Sequence, residues 1–173
     1  MAHSATAVSI EEYLRTSYCP DVEYVDGQLK EKPVVGFPHG ETQTILGVWF
    51  RAHRKEWGIR VAVEVRTRVM AERVRLPDII VVTDQERSTG AIDNPPLIAI
   101  EVLSPTDTYA ELKNRAADLT AMGTENVWLI DPQMRTAEVW HSNAWQQHAG
   151  RILQAVNSPM HIDLDWLWAE LDD

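Results

Sequence analysis

Cysteine is almost absent from this chain. Cys19 is the only one among 173 residues, which excludes an internal disulfide and any cysteine-based metal cluster and favours a reducing, cytoplasmic setting. Long apolar runs are missing too. No stretch approaches the roughly 20 residues that a membrane span requires, so no membrane partner is expected. Met1 to Thr6 shows no basic stretch ahead of an apolar core, so it is not read as a secretory signal. Repeats, low-complexity tracts and long linkers are also lacking. With 45% apolar and 24% charged residues, the composition is that of a soluble globular protein. One domain over residues 1–173 is expected, with a core at about 38–132.

Positive charge is scarce. Sixteen Lys and Arg face 26 Asp and Glu, a formal net charge of −10, which argues against coating a polyanion by bulk electrostatics. The distribution is uneven, because eight of the 16 lie between Arg51 and Arg75 and only Glu56, Glu64 and Glu72 oppose them there. Such a strip suits a phosphate-bearing partner, with Arg66 and Arg68 as candidate nucleic-acid contacts. A charge run of this kind is more often a solvated face.

The pattern of elements is mixed. Ser9 with Glu12 three residues later marks a capped helix start. Val22 to Leu29 reads as a hairpin turning at Asp26-Gly27. Pro38-His39-Gly40-Glu41 opens a helix that should run to about Trp57 and stop at Gly58. Val61 to Val69 alternates with polar residues as one long strand. Ile79–Val82 and Leu97–Leu103 are apolar on both faces, as central strands are. Thr106 or Asp107 should cap a helix bearing Leu112, Ala116 and Leu119, closed by Gly123. Val127–Ile130 is a further buried strand, Arg135–His141 and Trp145–His148 a hairpin, and Leu164–Trp168 a short helix that would dock on the sheet or on a second subunit. Five of the seven tryptophans lie at Trp128 or later, where core or dimer packing is expected to use them.

Two acids break the apolar pattern. Asp78 heads Ile79-Ile80-Val81-Val82, and Glu101 interrupts Leu97-Ile98-Ala99-Ile100. A desolvated, unpaired carboxylate costs several kcal/mol, so each must have a partner. If the strands are neighbours in suitable register, a shared divalent cation would relieve both, and Mg²⁺ or Mn²⁺ suits a site of hard oxygens. Such an ion also activates water and neutralises charge on a phosphodiester. Lys113, on the helix after Glu101, could orient that water. The competing explanations are a turn amide for Asp78 and, for Glu101, an ion pair with Lys113 or an arginine.

Pro77-Asp78, Glu101-Val102-Leu103-Ser104-Pro105-Thr106, Lys113 and Asn126-Val127-Trp128-Leu129-Ile130-Asp131-Pro132 together resemble the Uma family of restriction endonucleases, within the PD-(D/E)xK nuclease superfamily. The resemblance runs from about Ser9 to Trp168 and includes Tyr24-Val25-Asp26-Gly27 and Pro38-His39-Gly40. It implies a restriction endonuclease-like α/β fold, a mixed central sheet flanked by helices, with N-terminal and C-terminal β-hairpin additions. It also implies metal-dependent cleavage of DNA. By this likeness Asp78, Glu101, Lys113 and Glu41 would be catalytic, with Asp78 and Glu101 holding Mg²⁺ or Mn²⁺. DNA is then the expected partner and a homodimer the expected assembly. One position departs from the superfamily pattern: Leu103 stands where a lysine would follow the glutamate by two, which moves the lysine's role to Lys113. The alternative is a catalytically inactive fold that binds itself or another protein.

Overall fold

The computed structural model describes residues 8–172; the Met1 to Thr6 segment discussed above lies outside them. Helix α1 (Ile10–Arg15) starts as its cap requires, with the Ser9 side chain accepting from the Glu12 amide. Strands β1 (Val22–Val25) and β2 (Gln28–Glu31) form the hairpin over Asp26-Gly27, both in the left-handed region at φ 51° and 84°. Helix α2 (Phe37–Ala52) ends sooner than its periodicity suggests. The His53 ring takes up the Trp49 carbonyl and stacks on Trp57, and the chain restarts as α3 (Arg54–Trp57), closed by left-handed Gly58.

The long valine-rich segment is not one strand. Its first half is β3 (Ile59–Val63), its second β4 (Thr67–Met70), and they belong to different sheets. The break is at Glu64, where φ is 51° and the amide donates to the Asp78 carbonyl. Neither Gly nor Pro marks that turn, so period-two alternation runs across it unbroken. Then come β5 (Arg73–Arg75), β6 (Ile79–Thr83), β7 (Ile98–Val102), α4 (Tyr109–Met122), β8 (Asn126–Asp131), β9 (Thr136–His141), β10 (Ala144–Gln147), β11 (Ile152–Gln154), β12 (His161–Asp163) and α5 (Leu164–Glu170). The cap of α4 is Thr108, not Thr106 or Asp107, because Asp107 is engaged by Ser104.

The main sheet has the order β10-β9-β8-β7-β6-β3 and is mixed: β7 and β8 run parallel through the α4 crossover and the other pairs are antiparallel. Leu46 and Phe50 of α2, with Leu164 and Leu167 of α5, cover one face through Ile79, Val81, Ile98 and Ile100. Leu112, Ala116 and Leu119 of α4 cover the other, against Ala99, Val127 and Leu129. The sheet is therefore flanked by helices, as expected. Both expected hairpins are present and both are absorbed into sheets. The first joins β5 and β4 in a four-stranded sheet, and β9–β10 extends the main one. The core also draws on Leu153 and Ile162, beyond residue 132.

The tryptophans are largely internal. Trp128 lies in the core, Trp140 packs on Trp145 beside α4, and Trp166 packs on Trp49. Among the described residues, no helix is long and apolar enough to cross a membrane.

Candidate active site

Strand pairing brings the two acids together. β6 and β7 are antiparallel neighbours with Ile79 opposite Ile100, and continuing that register by one residue sets Asp78 opposite Glu101. Glu101 shares the Ala99 face, towards α4. Both side chains are almost wholly buried, at 2% and 1% exposure. A buried charge must be compensated locally, and each acid has its own partner. Asp78 Oδ2 accepts the Val102 amide at 2.7 Å, while Oδ1 accepts from Lys32 Nζ at 2.5 Å. Glu101 Oε2 faces Arg115 Nη1 of α4 at 3.8 Å, and its Oε1 has no hydrogen-bond partner.

Arg115 serves three acids. It reaches Glu23 at 3.4 Å and Asp107 at 3.3 Å besides Glu101. From Glu23 the charges continue inward to Arg75 at 2.7 Å, then from Arg75 to Asp118 at 2.6 Å and on to Arg73 at 2.8 Å. One ionic network thus links β1, β5, α4 and β7.

Burial pushes the Glu101 carboxyl up to about 8, and the neighbouring Asp78 charge adds to this against the pull of Arg115 and Lys32. For Lys32, burial acts to lower the pKa, but Asp78 and Glu101 outweigh it and leave the ammonium above its ordinary value. Burial opposes the charge on Arg115 as well, and Glu101, Glu23 and Asp107 overcome it.

The lysine at the acids is therefore Lys32, which sequence reasoning missed. It follows directly on β2 and also donates to the Leu76 carbonyl at 2.9 Å. Lys113 does not take this place. It lies on the exposed side of α4, whose buried side carries Leu112, Arg115 and Ala116, and it forms no ion pair among the described residues. In the sequence, Lys32 between the hairpin and Pro33 is not set apart from neighbouring Lys30.

His39, at the start of α2, is buried beside the acids. Its Nε2 stands 3.4 Å from Asp78 Oδ1, and neither ring nitrogen has a hydrogen-bond partner. It also lines a cavity of roughly 630 Å³ with Glu41, Leu103, Ser104, Asp131 and Arg135. Glu41, half-buried in the first turns of α2, faces that cavity rather than pairing with an arginine.

Arg66 is engaged within the chain. Its guanidinium pairs with Asp21, donates to the Tyr13 and Thr16 carbonyls, and lies 4.3 Å above the Tyr13 ring. Arg68 donates to the Ala71 carbonyl in its own turn and keeps partial exposure.

A family model described as "Uma2: Putative restriction endonuclease" matches residues 10–165. The chain belongs to the Uma2 family. Searching curated proteins gave no match. A crystal structure from Anabaena variabilis ATCC 29413, described as "a putative nuclease belonging to DUF820", is 21% identical to this Uma2 chain. It covers 95% of this chain and 99% of its own, with a TM-score of 0.78. That likeness establishes a nuclease-type fold. A DrdV–DNA complex, 18% identical, covers 75% of this chain and 10% of its own at a TM-score of 0.39, too loose to support a structural argument. The Uma2 assignment thus supports a nuclease, and the chemistry must be argued from the site.

Two tests follow from this geometry. Glu101 holds a proton in the folded state up to about pH 8 but releases it near 4.5 when unfolded. The folded state therefore binds more protons across that window, and stability falls as pH rises through it. Melting temperatures of metal-free protein between about pH 5 and 8 should decline less steeply in Glu101→Gln than in wild type; parallel curves would place the proton elsewhere. Arg66→Ala should cost about 2 kcal/mol in urea unfolding. It should leave the salt slope of any DNA binding unchanged, whereas a phosphate contact would flatten that slope.

Proposed function

We propose that this protein is a metal-dependent endonuclease that hydrolyses DNA phosphodiester bonds, with Asp78 and Glu101 as ligands of Mg²⁺ or Mn²⁺. The observation that supports this reading is the pairing of two buried carboxylates, one with an unpartnered oxygen, at the end of β6 and β7 in a Uma2-family chain.

The residues fit the metal. Hard oxygen donors suit Mg²⁺ and Mn²⁺, and one or two carboxylates suffice when waters complete the shell. Glu101 Oε1 and the two nitrogens of His39 are the buried polar atoms here that await a partner. No group of three or more His, Cys, Asp or Glu among the described residues forms a ligand cage, so waters would have to complete the shell. When bound, the ion would supply charge neutralisation at the phosphate and a more acidic water.

The chain's own groups supply the rest. The Val102 amide fixes Asp78 Oδ2 and leaves Oδ1 to face the site. Arg115 orients Glu101 from behind while being held itself by Glu23 and Asp107. Lys32 is the cation placed to stabilise charge developing on a phosphate oxygen or to orient the attacking water. The cavity is lined by His39, Glu41 and Ser104 and by neither acid nor Lys32; His39, 3.4 Å from Asp78, is the residue that would join it to the acids as the approach for the scissile strand. Glu41 stands there as an outer acid.

A second reading draws on a different fact. Lys32 and Arg115 already provide each acid with a cation, so the fold is balanced without metal, as in a catalytically inactive module.

Nicking of supercoiled plasmid with Mn²⁺ separates the two. Wild type should cleave, Asp78→Asn should lose at least about 100-fold in rate, Lys32→Ala should fall comparably and Lys113→Ala should stay near wild type. Mn²⁺ should also raise the melting temperature of wild type but not of Asp78→Asn. No cleavage together with no metal-linked shift would leave the inactive module standing.

A further inference from the structure

We propose that the Lys32 ammonium is the resident cation of the metal-free site, and that it and a divalent ion exclude one another at Asp78 Oδ1. This rests on the reading of Asp78 and Glu101 as metal ligands and adds how the site is loaded.

The argument begins with the two oxygens of Asp78. Oδ2 is committed to the Val102 amide inside the sheet. Oδ1 is the oxygen that already faces a cation, with Lys32 Nζ 2.5 Å from it. A metal–oxygen bond to this atom would be about 2 Å long, so ion and ammonium would stand within a few Å of each other. A charge of +2 against +1 in a buried setting is strongly repulsive. Hydrogen bonding to the metal-free acid therefore does locally what the ion would do when bound.

Lys32 is suited to such an exchange. Its side chain is 14% exposed, against 3% for Asp78, so the ammonium has a route outward while the carboxylate has none. It follows β2, an edge strand whose residues are all exposed. Arg115 lacks this freedom, since Glu23 and Asp107 hold it on the far side of Glu101. The two cations around the acid pair thus differ: Arg115 is a fixed part of the frame, and Lys32 is the one that can yield. Once off Asp78, its ammonium would lie beside the ion, free to meet the anionic substrate.

The test is Mn²⁺ binding, followed by the electron paramagnetic resonance signal of free Mn²⁺ and by melting temperature. Lys32→Met keeps a long side chain and removes the charge. It should melt below wild type without metal, because Asp78 loses its partner, and should bind Mn²⁺ at least about tenfold more tightly. Lys32→Arg should bind as weakly as wild type. Adding Asp78→Asn to Lys32→Met should abolish the gained affinity. Equal or weaker Mn²⁺ binding in Lys32→Met overturns the proposal while leaving the metal-site reading intact. Retention of the gained affinity in the double variant overturns it too. Absence of Mn²⁺ binding in both wild type and Lys32→Met sinks the proposal and the metal-site reading together.

Wild-type protein provides a check that needs no folded variant. Amine acylation at Lys32, read by mass spectrometry, should rise several-fold at Mn²⁺ concentrations that shift the melting temperature. Unchanged labelling at those concentrations overturns the exchange.

Discussion

The structure depends on one constraint: two carboxylates stand side by side in a place without water. Asp78 and Glu101 are at most 2% exposed, and burial of that kind is tolerable only with compensation close at hand. The fold recruits it from outside the main sheet. Lys32 comes from the N-terminal hairpin and Arg115 from the crossover helix, and Glu23 holds Arg115 from β1. The four-stranded and six-stranded sheets are thereby joined around the site by charge as well as by apolar packing. Removing one member of such a network leaves its partner buried and unpaired, which costs more than the pair contributes when whole.

The same arrangement explains why the site can be both structural and chemical. Ionic frames are stiff where every donor and acceptor is satisfied, as along Glu23, Arg75 and Asp118. They stay open where one is not: Glu101 Oε1 and both nitrogens of His39 beside the acids, and Arg73 Nε at the other end of the network. Buried polar atoms are rarely left without partners, and His39 both lines the cavity and stands 3.4 Å from Asp78. On the proposed reading the paired groups would hold the frame while Glu101 Oε1 and His39 would be the atoms free to meet a ligand, with Asp78 shared by both.

Much of this was legible in the residues. Asp78 and Glu101 could be found because a charge inside an apolar run breaks a simple pattern, and period two assigned Glu101 to the face of Ala99. The arginine alternative for Glu101 is realised in Arg115, and Asp78 is held by an amide, though by that of Val102 in the neighbouring strand rather than of a turn. What could not be read was long-range. Lys113 looked suitable because it follows Glu101 on a helix, but helical rotation turns it to solvent and turns Arg115 inward. Lys32 is 46 residues from Asp78, and only the pairing of β1 with β5 carries its hairpin there. The break at Glu64 was invisible for a related reason: the contact that closes it, to the Asp78 carbonyl, is tertiary.

The basic strip shows how linear charge density misleads. Arg66, Arg73 and Arg75 lie within it, and each is consumed by an acid from a distant segment: Asp21, Asp26 with Asp118, and Glu23 with Asp118. The other five, Arg51, Arg54, Lys55, Arg60 and Arg68, pair with no acid among the described residues, and Arg51, Arg54 and Lys55 lie around the end of α2 away from His39. Three of the strip's eight cations are thus neutralised within the fold, which reduces what it offers a polyanion. On the proposed reading, Lys32 and whatever cation the acid pair recruits would add attraction at the site itself. Loading of that pair would then bear on substrate binding as well as on the proposed chemistry, because the same positive charge would serve both.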